Sequence, residues 1–256
     1  MKPAVKNTIT KLAWLIGMIS TVIVVFSAVD NTKDARTQGV EVEIEALPNG
    51  KYLINDEDIK ELIKAAFDSD LVGEKVESID VERLEVELKE EGFVLDAEAY
   101  IDASQTIKII IKQRQPILRV LDSNGLDYYL DGFGVKMEPS KHYTARVLVA
   151  TGSLPAFTND YLKREEHPIN RLFDLTNVIL KDDFLNPLVE QVHYNKKEFT
   201  IVPKVGDHKI IIGNLNDLDD KIERLKIFYQ EGMSRTGWQR YKELDLRYEG
   251  QVVARK

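Results

Sequence analysis

The sequence contains no cysteine among its 256 residues. A chain without cysteine forms no disulfide bond and no thiolate metal site, and it has no thiol nucleophile for catalysis. Histidine is also scarce, and the four histidines stand at positions 142, 167, 193 and 208. None has a second metal ligand at helical or hairpin spacing, so surface or helix-capping positions fit them better than zinc or catalytic roles.

Sequence motifs of catalysis are equally sparse. Ser153 lies in the stretch TGSLP, which lacks the G-x-S-x-G pattern of a nucleophile elbow. The GFG at residues 132–134 is half of a dinucleotide-binding fingerprint, but it stands between predicted strands, so a hairpin turn is predicted instead. Acidic pairs occur throughout the chain, and their spacing in the sequence does not exclude a pair of catalytic carboxylates like that of a glycosidase. We therefore assign no catalytic residue, no metal site and no cofactor.

Acidic residues are absent from the first 29 positions, and residues 12–29 carry no formal charge at all. A helix of this length spans about 27 Å, close to the hydrocarbon thickness of a bilayer. Three lysines precede the run, and Asp30 and Asp34 follow it. The positive-inside rule then predicts a retained transmembrane helix with residues 1–11 in the cytoplasm. A cleaved signal peptide is the alternative, although it favours an apolar run of about 7–15 residues and a small-x-small cleavage site.

The part of the chain after residue 29 holds all 43 acidic residues and 32 of the 35 basic ones, a formal charge of −11. Nucleic-acid partners select basic surfaces, so a nucleic-acid partner is not expected, nor is close adsorption to anionic lipid. No feature indicates a small-molecule substrate.

The polar residues 30–39 are predicted to be a tether, and residues 40–115 a first folded domain. The pattern alternates at 40–46, becomes helical after Asn55 and again at about 80–91, and alternates once more at 93–101 and 106–114. Two helices packed on one face of a three-stranded sheet would bury all the apolar sets together, so an α+β fold of order β-α-α-β-β is predicted.

Residues 116–256 are predicted to form a mostly antiparallel β domain with flanking helices. Turn signals separate short strands at 117–121, 127–130, 135–138, 146–151, 188–194, 198–202, 209–212, 243–248 and 251–254, with helices at 168–180 and 218–232. In the strand at 243–248, Leu244, Leu246 and Tyr248 alternate with polar residues. A strand at the end of a sheet accepts a strand from another chain, although this one could simply complete the sheet.

Three stretches in this order resemble the bacterial cell-division family FtsQ/DivIB. They are IKIIIKQRQPILRV at 107–120, YYLDGFGV at 128–135, and the helix at 218–229 followed by LDLRY at 244–248. Residues 157–197 depart most from the family pattern, and the junction carries Gln113, Arg114 and Gln115 where the family more often has an acidic residue. The resemblance implies a cytoplasmic tail, one membrane helix, a POTRA domain and a C-terminal β domain.

The resemblance also implies a function. The protein would be a non-catalytic divisome scaffold in the cytoplasmic membrane, with most of the chain outside, located at the division septum. It would bind FtsB/FtsL-like bitopic proteins by β-strand addition and help to regulate septal peptidoglycan synthesis, while the POTRA domain contacts other divisome components. The partner-binding residues implied are Leu246, Arg247, Tyr248, Gln251, Val252 and Val253. A POTRA-type chaperone module and, less favoured, an envelope hydrolase remain alternatives.

Overall fold

The computed structural model describes Met18 and residues 35–122, 125–233, 235, 237 and 239–256. The predicted cytoplasmic tail, nearly all of the predicted membrane helix at 12–29 and the first half of the tether lie outside these residues. No helix within the described residues has the length and apolar character needed to cross a membrane. The described chain forms two compact units that divide between Gln113 and Arg114.

The first unit has the predicted order of two helices and three strands. Its elements are β1 (Gly39–Glu45), α1 (Asp56–Phe67), α2 (Val81–Lys89), β2 (Val94–Ile101) and β3 (Thr106–Gln113), with a 3-10 turn at Val76–Ser78. The sheet order is β1-β3-β2, with β1 parallel and β2 antiparallel to the central β3. The predicted α+β arrangement is therefore confirmed for this unit.

Local sequence fixes where the two helices begin. Asn55 accepts a hydrogen bond from the Asp58 amide at 2.9 Å, and the Asp58 carboxylate accepts one from the Asn55 amide at 3.2 Å, which completes a capping box. Asp80 caps α2 through the Arg83 amide at 2.9 Å. The buried faces of both helices and the sheet form one core, which includes Ile59, Ile63, Leu84, Leu88, Ile107, Ile109 and Ile111.

The second unit contains nine strands and three α-helices among its described residues. The strands are β4 (Pro116–Asp122), β5 (Asp127–Asp131), β6 (Lys136–Met137), β7 (Leu148–Gly152), β8 (Val189–Asn195), β9 (Glu198–Pro203), β10 (Lys209–Gly213), β11 (Glu243–Asp245) and β12 (Val253–Arg255). The helices are α3 (Pro168–Lys181), α4 (Leu185–Leu188) and α5 (Leu218–Ile227), and α5 runs into a π-helical turn at Phe228–Met233.

These nine strands form one sheet in the order β12-β11-β10-β9-β8-β7-β4-β5-β6. Among the described strands the sheet is mostly antiparallel, as predicted, since five of its eight neighbouring pairs are antiparallel. The sheet is nevertheless mixed, because the β4–β7, β7–β8 and β10–β11 neighbours are parallel. A parallel neighbour requires a crossover connection. Two of these crossovers contain helices, α3 with α4 between β7 and β8, and α5 between β10 and β11.

The tight turn between β5 and β6 lies where the GFG stretch predicted a hairpin. The Asp131 carboxylate accepts hydrogen bonds from the amides of Phe133 at 2.9 Å and Val135 at 2.8 Å, while Arg114 binds its other oxygen at 2.8 Å. The Asp131 side chain is buried, and the turn it organises joins antiparallel strands. The hairpin prediction is therefore confirmed.

One histidine caps a helix, as predicted, and another is buried, which was not predicted. His167 caps α3, since its Nδ1 accepts a hydrogen bond from the Ile169 amide at 3.3 Å. The surface expectation is wrong for His208, which is buried with its Nε2 2.6 Å from the Tyr229 hydroxyl. Burial lowers the pKa of His208 and raises that of Tyr229, so both groups remain neutral at physiological pH.

Candidate partner-binding edge

One end of the nine-stranded sheet is β12, which pairs antiparallel with β11 through Glu243↔Arg255, Leu244↔Ala254 and Asp245↔Val253. Among the described residues, no strand lies on the other side of β12. An edge strand presents unpaired N–H and C=O groups that another chain can complete. We use "the β12 edge" for this strand together with the connection at residues 246–252 that leads into it.

The predicted edge strand at 243–248 is not the edge. Its ladder ends at Asp245, and β11 lies between β10 and β12 with both sides paired. One further hydrogen bond, from the Leu246 amide to the Ile211 carbonyl at 2.9 Å, follows the ladder before the chain turns. The edge strand, whose backbone groups are unpaired on one side, is therefore Val253–Arg255 and not the preceding strand that the alternation indicated.

A buried carboxylate lies at the base of the β12 edge. Asp245 has no exposed surface, and its carboxylate accepts hydrogen bonds from Arg247 Nε at 2.9 Å and Arg247 Nη2 at 2.8 Å. The Arg255 guanidinium lies 3.5 Å from the same carboxylate. The hydrogen bond from Arg247 is the main reason that the pKa of Asp245 is below its usual value, and so the carboxylate remains charged.

This carboxylate belongs to a charge network that crosses several strands. Arg247 also reaches Glu198 on β9 at 3.2 Å, and Glu243 on β11 binds both Arg255 and Lys209. Asp245 and Glu198 together raise the pKa of Arg247. The network fixes the side chains that flank β12, because each arginine is held by two acidic residues, Arg247 by one on β9 and one on β11 and Arg255 by two on β11.

Helix α5 holds the connection that leads into β12. Arg224, whose side chain is only 13% exposed, donates from Nη1 to the carbonyl oxygens of Tyr248, at 2.8 Å, and Gln251. Its Nε donates to Asp220, one turn earlier on the helix, at 2.9 Å. The start of β12 is therefore positioned by a largely covered cation and not by the turn residues alone.

Gly213 at the end of β10 provides the space through which Arg247 passes. Its φ is +74°, and a Cβ built there would lie 2.7 Å from Cγ of Arg247. Alanine at this position meets both backbone strain and a steric clash.

We expect Gly213→Ala to lower the free energy of unfolding of the second domain by about 1–3 kcal/mol, because it combines left-handed strain with displacement of Arg247. Gly50→Ala is the matched control, since Gly50 has a similar φ of +73° but nothing within 4 Å of its would-be Cβ. Calorimetry of the domain transitions separates the two effects. Equal losses in the two variants would contradict a role for the Arg247 contact.

The six predicted partner-binding residues occupy different environments. Tyr248 is 45% exposed, Gln251 is exposed, and Val252 and Val253 are half-buried. Leu246 has no exposed surface and packs in the domain core, so its side chain has no surface to offer a partner. Arg247 is partly exposed but its guanidinium is bound to Asp245 and Glu198.

Sequence reasoning missed Asp245, Arg224 and Gly213 as residues that shape the edge. The alternation in LDLRY placed Asp245 on a solvated face, whereas pairing with β12 on one side and β10 on the other buries it. Arg224 lies 24 residues from Tyr248, and no local pattern indicates such a contact. Within the described part of the chain, no group of three or more acidic or histidine side chains is placed to hold a metal ion.

The fold defines a class of protein in which a three-stranded α+β domain precedes a mixed β domain whose sheet, within the described residues, ends at an open edge strand. Comparison with known families agrees with this class. Residues 35–112 match the POTRA-like domain, and residues 115–255 match the family described as FtsQ/DivIB, C-terminal related. No curated protein matches the chain.

The second match covers more than half of the sequence, and so the chain belongs to the FtsQ/DivIB family. The family resemblance noted in the sequence is therefore confirmed. FtsQ/DivIB and POTRA-like domains are generally non-catalytic scaffolds, and the family is associated with cell division and with the septal membrane.

Proposed function

We propose that this protein is a single-pass scaffold of the divisome that captures FtsB/FtsL-like bitopic proteins on the outer side of the cytoplasmic membrane. Capture occurs by addition of a partner strand to the β12 edge. Through this contact the protein helps to regulate septal peptidoglycan synthesis. The observation that carries the proposal is the unpaired side of β12 in a chain of this family.

The geometry of the edge supports strand addition over a purely side-chain contact. Val253–Arg255 pair on one side with β11, and Arg224 fixes the chain immediately before them through a hydrogen bond to the Gln251 carbonyl. An edge that is already ordered loses less conformational entropy when a partner strand binds. Main-chain hydrogen bonds then provide affinity, and side chains next to the strand provide specificity.

In this proposal Tyr248 and Gln251 contact partner side chains, and Val252 and Val253 provide apolar surface beside the added strand. Tyr248 exposes nearly half of its surface although its carbonyl is fixed by Arg224. Tyrosine is among the residue types that are enriched at interface hot spots. Leu246 and Arg247 act indirectly, by packing and by holding Asp245.

Tyr248→Ala tests the proposal. We expect partner binding to weaken about thirtyfold, which corresponds to about 2 kcal/mol for a truncated aromatic anchor. The measurement is biolayer interferometry of the full chain in detergent against an immobilised FtsB/FtsL-type complex. Tyr52→Ala is the matched control, because Tyr52 is 47% exposed but belongs to the first domain. Unchanged binding by Tyr248→Ala, or an equal loss in the control, would refute the assignment.

The membrane topology is a separate part of the proposal and rests on residues 12–29 and the lysines before them. We expect a reporter fused after residue 39 to be active outside the cytoplasm and a fluorescent fusion to form a ring at mid-cell. The POTRA domain would then provide the recruitment contacts. A uniform membrane distribution would argue against the septal role.

A further inference from the structure

A further feature of the second domain is a cleft of about 640 Å³. It is bounded by the beginnings of β4 and β8, by residues 144–149, and by the C-terminal part of α3 with α4. Ligand-binding clefts in proteins commonly have volumes of about 300–1,000 Å³. The size is therefore that of a site for a short peptide or small ligand.

The cleft exists because the sheet is incomplete there. Alternation in the sequence predicted a strand from Arg146, but β7 begins at Leu148, and its ladders start at Leu118↔Leu148 and Val149↔Gln191. Continuing the first register would place Arg146 opposite Pro116, which has no N–H to donate. Residues 144–147 therefore lie outside the ladder, and β4 and β8 are paired here only on the sides that face away from them, with β5 and β9.

The cleft has an apolar floor and a cationic rim. Ile117, Val149, Ile179 and Val189 are among the residues of the floor. Three basic residues line the rim, Arg119, Arg146 and Lys204, against one acidic residue, Glu190. This excess of positive charge contrasts with the net charge of −8 for the whole chain. A concentration of one sign of charge at a cleft attracts ligands of the opposite sign.

The three cations differ in how far they are already neutralised. Arg119 is bound to Asp127 by hydrogen bonds of 2.9 and 2.7 Å and lies over the Tyr129 ring. Arg146 has no ion pair or hydrogen-bond partner for its side chain in the described chain, and Lys204 reaches only the Asn186 carbonyl, at 3.4 Å. Two cations at the rim thus remain available to a ligand.

We propose that this cleft is a second protein-binding site, and that its occupant is a short, extended peptide segment with alternating acidic and apolar side chains. Acidic side chains would pair with Arg146 and Lys204, and apolar ones would contact the floor. Glu190, whose carboxylate has no partner in the described chain, favours a peptide over a polyphosphate or other polyanion. A peptide offers N–H donors to this carboxylate, whereas a polyanion is repelled by it.

The experiment uses fluorescence anisotropy with the full chain in detergent and a labelled acetyl-Glu-Leu-Glu-Leu-Glu-amide probe. We expect the probe to bind, and the double variant Arg146→Glu with Lys204→Glu to weaken binding at least about tenfold, because like charges would replace attraction at both contacts. The control is Lys51→Glu with Lys64→Glu, two exposed lysines of the first domain that change the net charge equally. This control should bind the probe as the wild type does.

Two further measurements distinguish binding at this cleft from binding at the β12 edge and from non-specific charge attraction. Tyr248→Ala should bind the acidic probe normally, and the basic analogue acetyl-Lys-Leu-Lys-Leu-Lys-amide should not bind the cleft. The proposal is overturned if the probe does not bind, if the two charge-reversal variants behave alike, or if Tyr248→Ala also loses the probe. It is equally overturned if inorganic polyphosphate binds the cleft and the acidic peptide does not.

Discussion

Removal of residues 251–256 should abolish capture of the bitopic partner while both domains remain folded. The deletion takes away all of β12 and leaves β11 as the end of the sheet. The new end carries Glu243 and Asp245 without the guanidinium of Arg255 that lay beside both of them. Charged side chains at a sheet edge disfavour the addition of another strand, so β11 is a poor substitute.

The expected loss is at least about a hundredfold in affinity, larger than for Tyr248→Ala, because the main-chain hydrogen bonds are lost along with the side-chain contacts. Co-purification of the full-length and shortened chains with the partner gives the first readout. Deletion of Lys256 alone is the control, since this residue follows the last strand. Recovery of partner at wild-type stoichiometry with the shortened chain would rule out β12 as the docking strand.

The fold of the shortened protein needs its own measurement. Val252 and Ala254 pack against the domain core, so some loss of stability is expected with the deletion. Most of the core lies elsewhere, on β4 and β7–β10 and on α3. A second-domain unfolding transition that remains cooperative shows that lost capture comes from the missing edge and not from unfolding.

Asp245→Asn should give the second large effect, on stability and on capture together. The change removes the negative charge of a fully buried carboxylate that holds Arg247 and Arg255. Hydrogen bonds to charged groups contribute about 1.5–3 kcal/mol, and we expect a loss of that size in the free energy of unfolding. The loss is below that of a fully buried ion pair, because Arg247 is 38% exposed and regains water.

The pH dependence of this effect has a defined sign. The pKa of Asp245 in the folded protein lies below its ordinary value of 3.8, chiefly because Arg247 donates to it. A carboxylate with a lowered pKa stabilises the folded state above the unfolded pKa and loses this contribution as the pH falls through the folded pKa. The stability difference between wild type and Asp245→Asn should therefore be largest near pH 7 and diminish below about pH 4.

Asp127→Asn is the matched control for Asp245→Asn. Asp127 also forms a bidentate pair, with Arg119, and its pKa is likewise lowered mainly by that hydrogen bond. It lies on β5, far along the same sheet from β12. Chemical unfolding at several pH values and partner binding at pH 7 should show that only Asp245→Asn loses capture. Wild-type binding by Asp245→Asn would contradict a positioning role for the carboxylate.

The sequence by itself determined the order of elements in both domains, apart from the four-residue helix α4, which was not predicted. Period-2 and period-3.6 patterns bury one face of each element, and caps such as Asn55 act within four residues, so these features are local. The hairpin at Asp131 and the start of α3 at Pro168 follow from the same short-range chemistry. The family resemblance could also be recognised from stretches of adjacent residues.

Only the tertiary structure decided which strands are neighbours, and hence where the sheet ends. Residues 243–248 alternate as an edge strand would, yet β11 is paired on both sides because β10 and β12 approach it from distant parts of the sequence. The burial of Asp245, the contact of Arg224 with residues 24 and 27 positions later, and the cleft in front of β7 depend on the same long-range pairing. Alternation reports which face of a strand is apolar, but it carries no information about what pairs with its backbone.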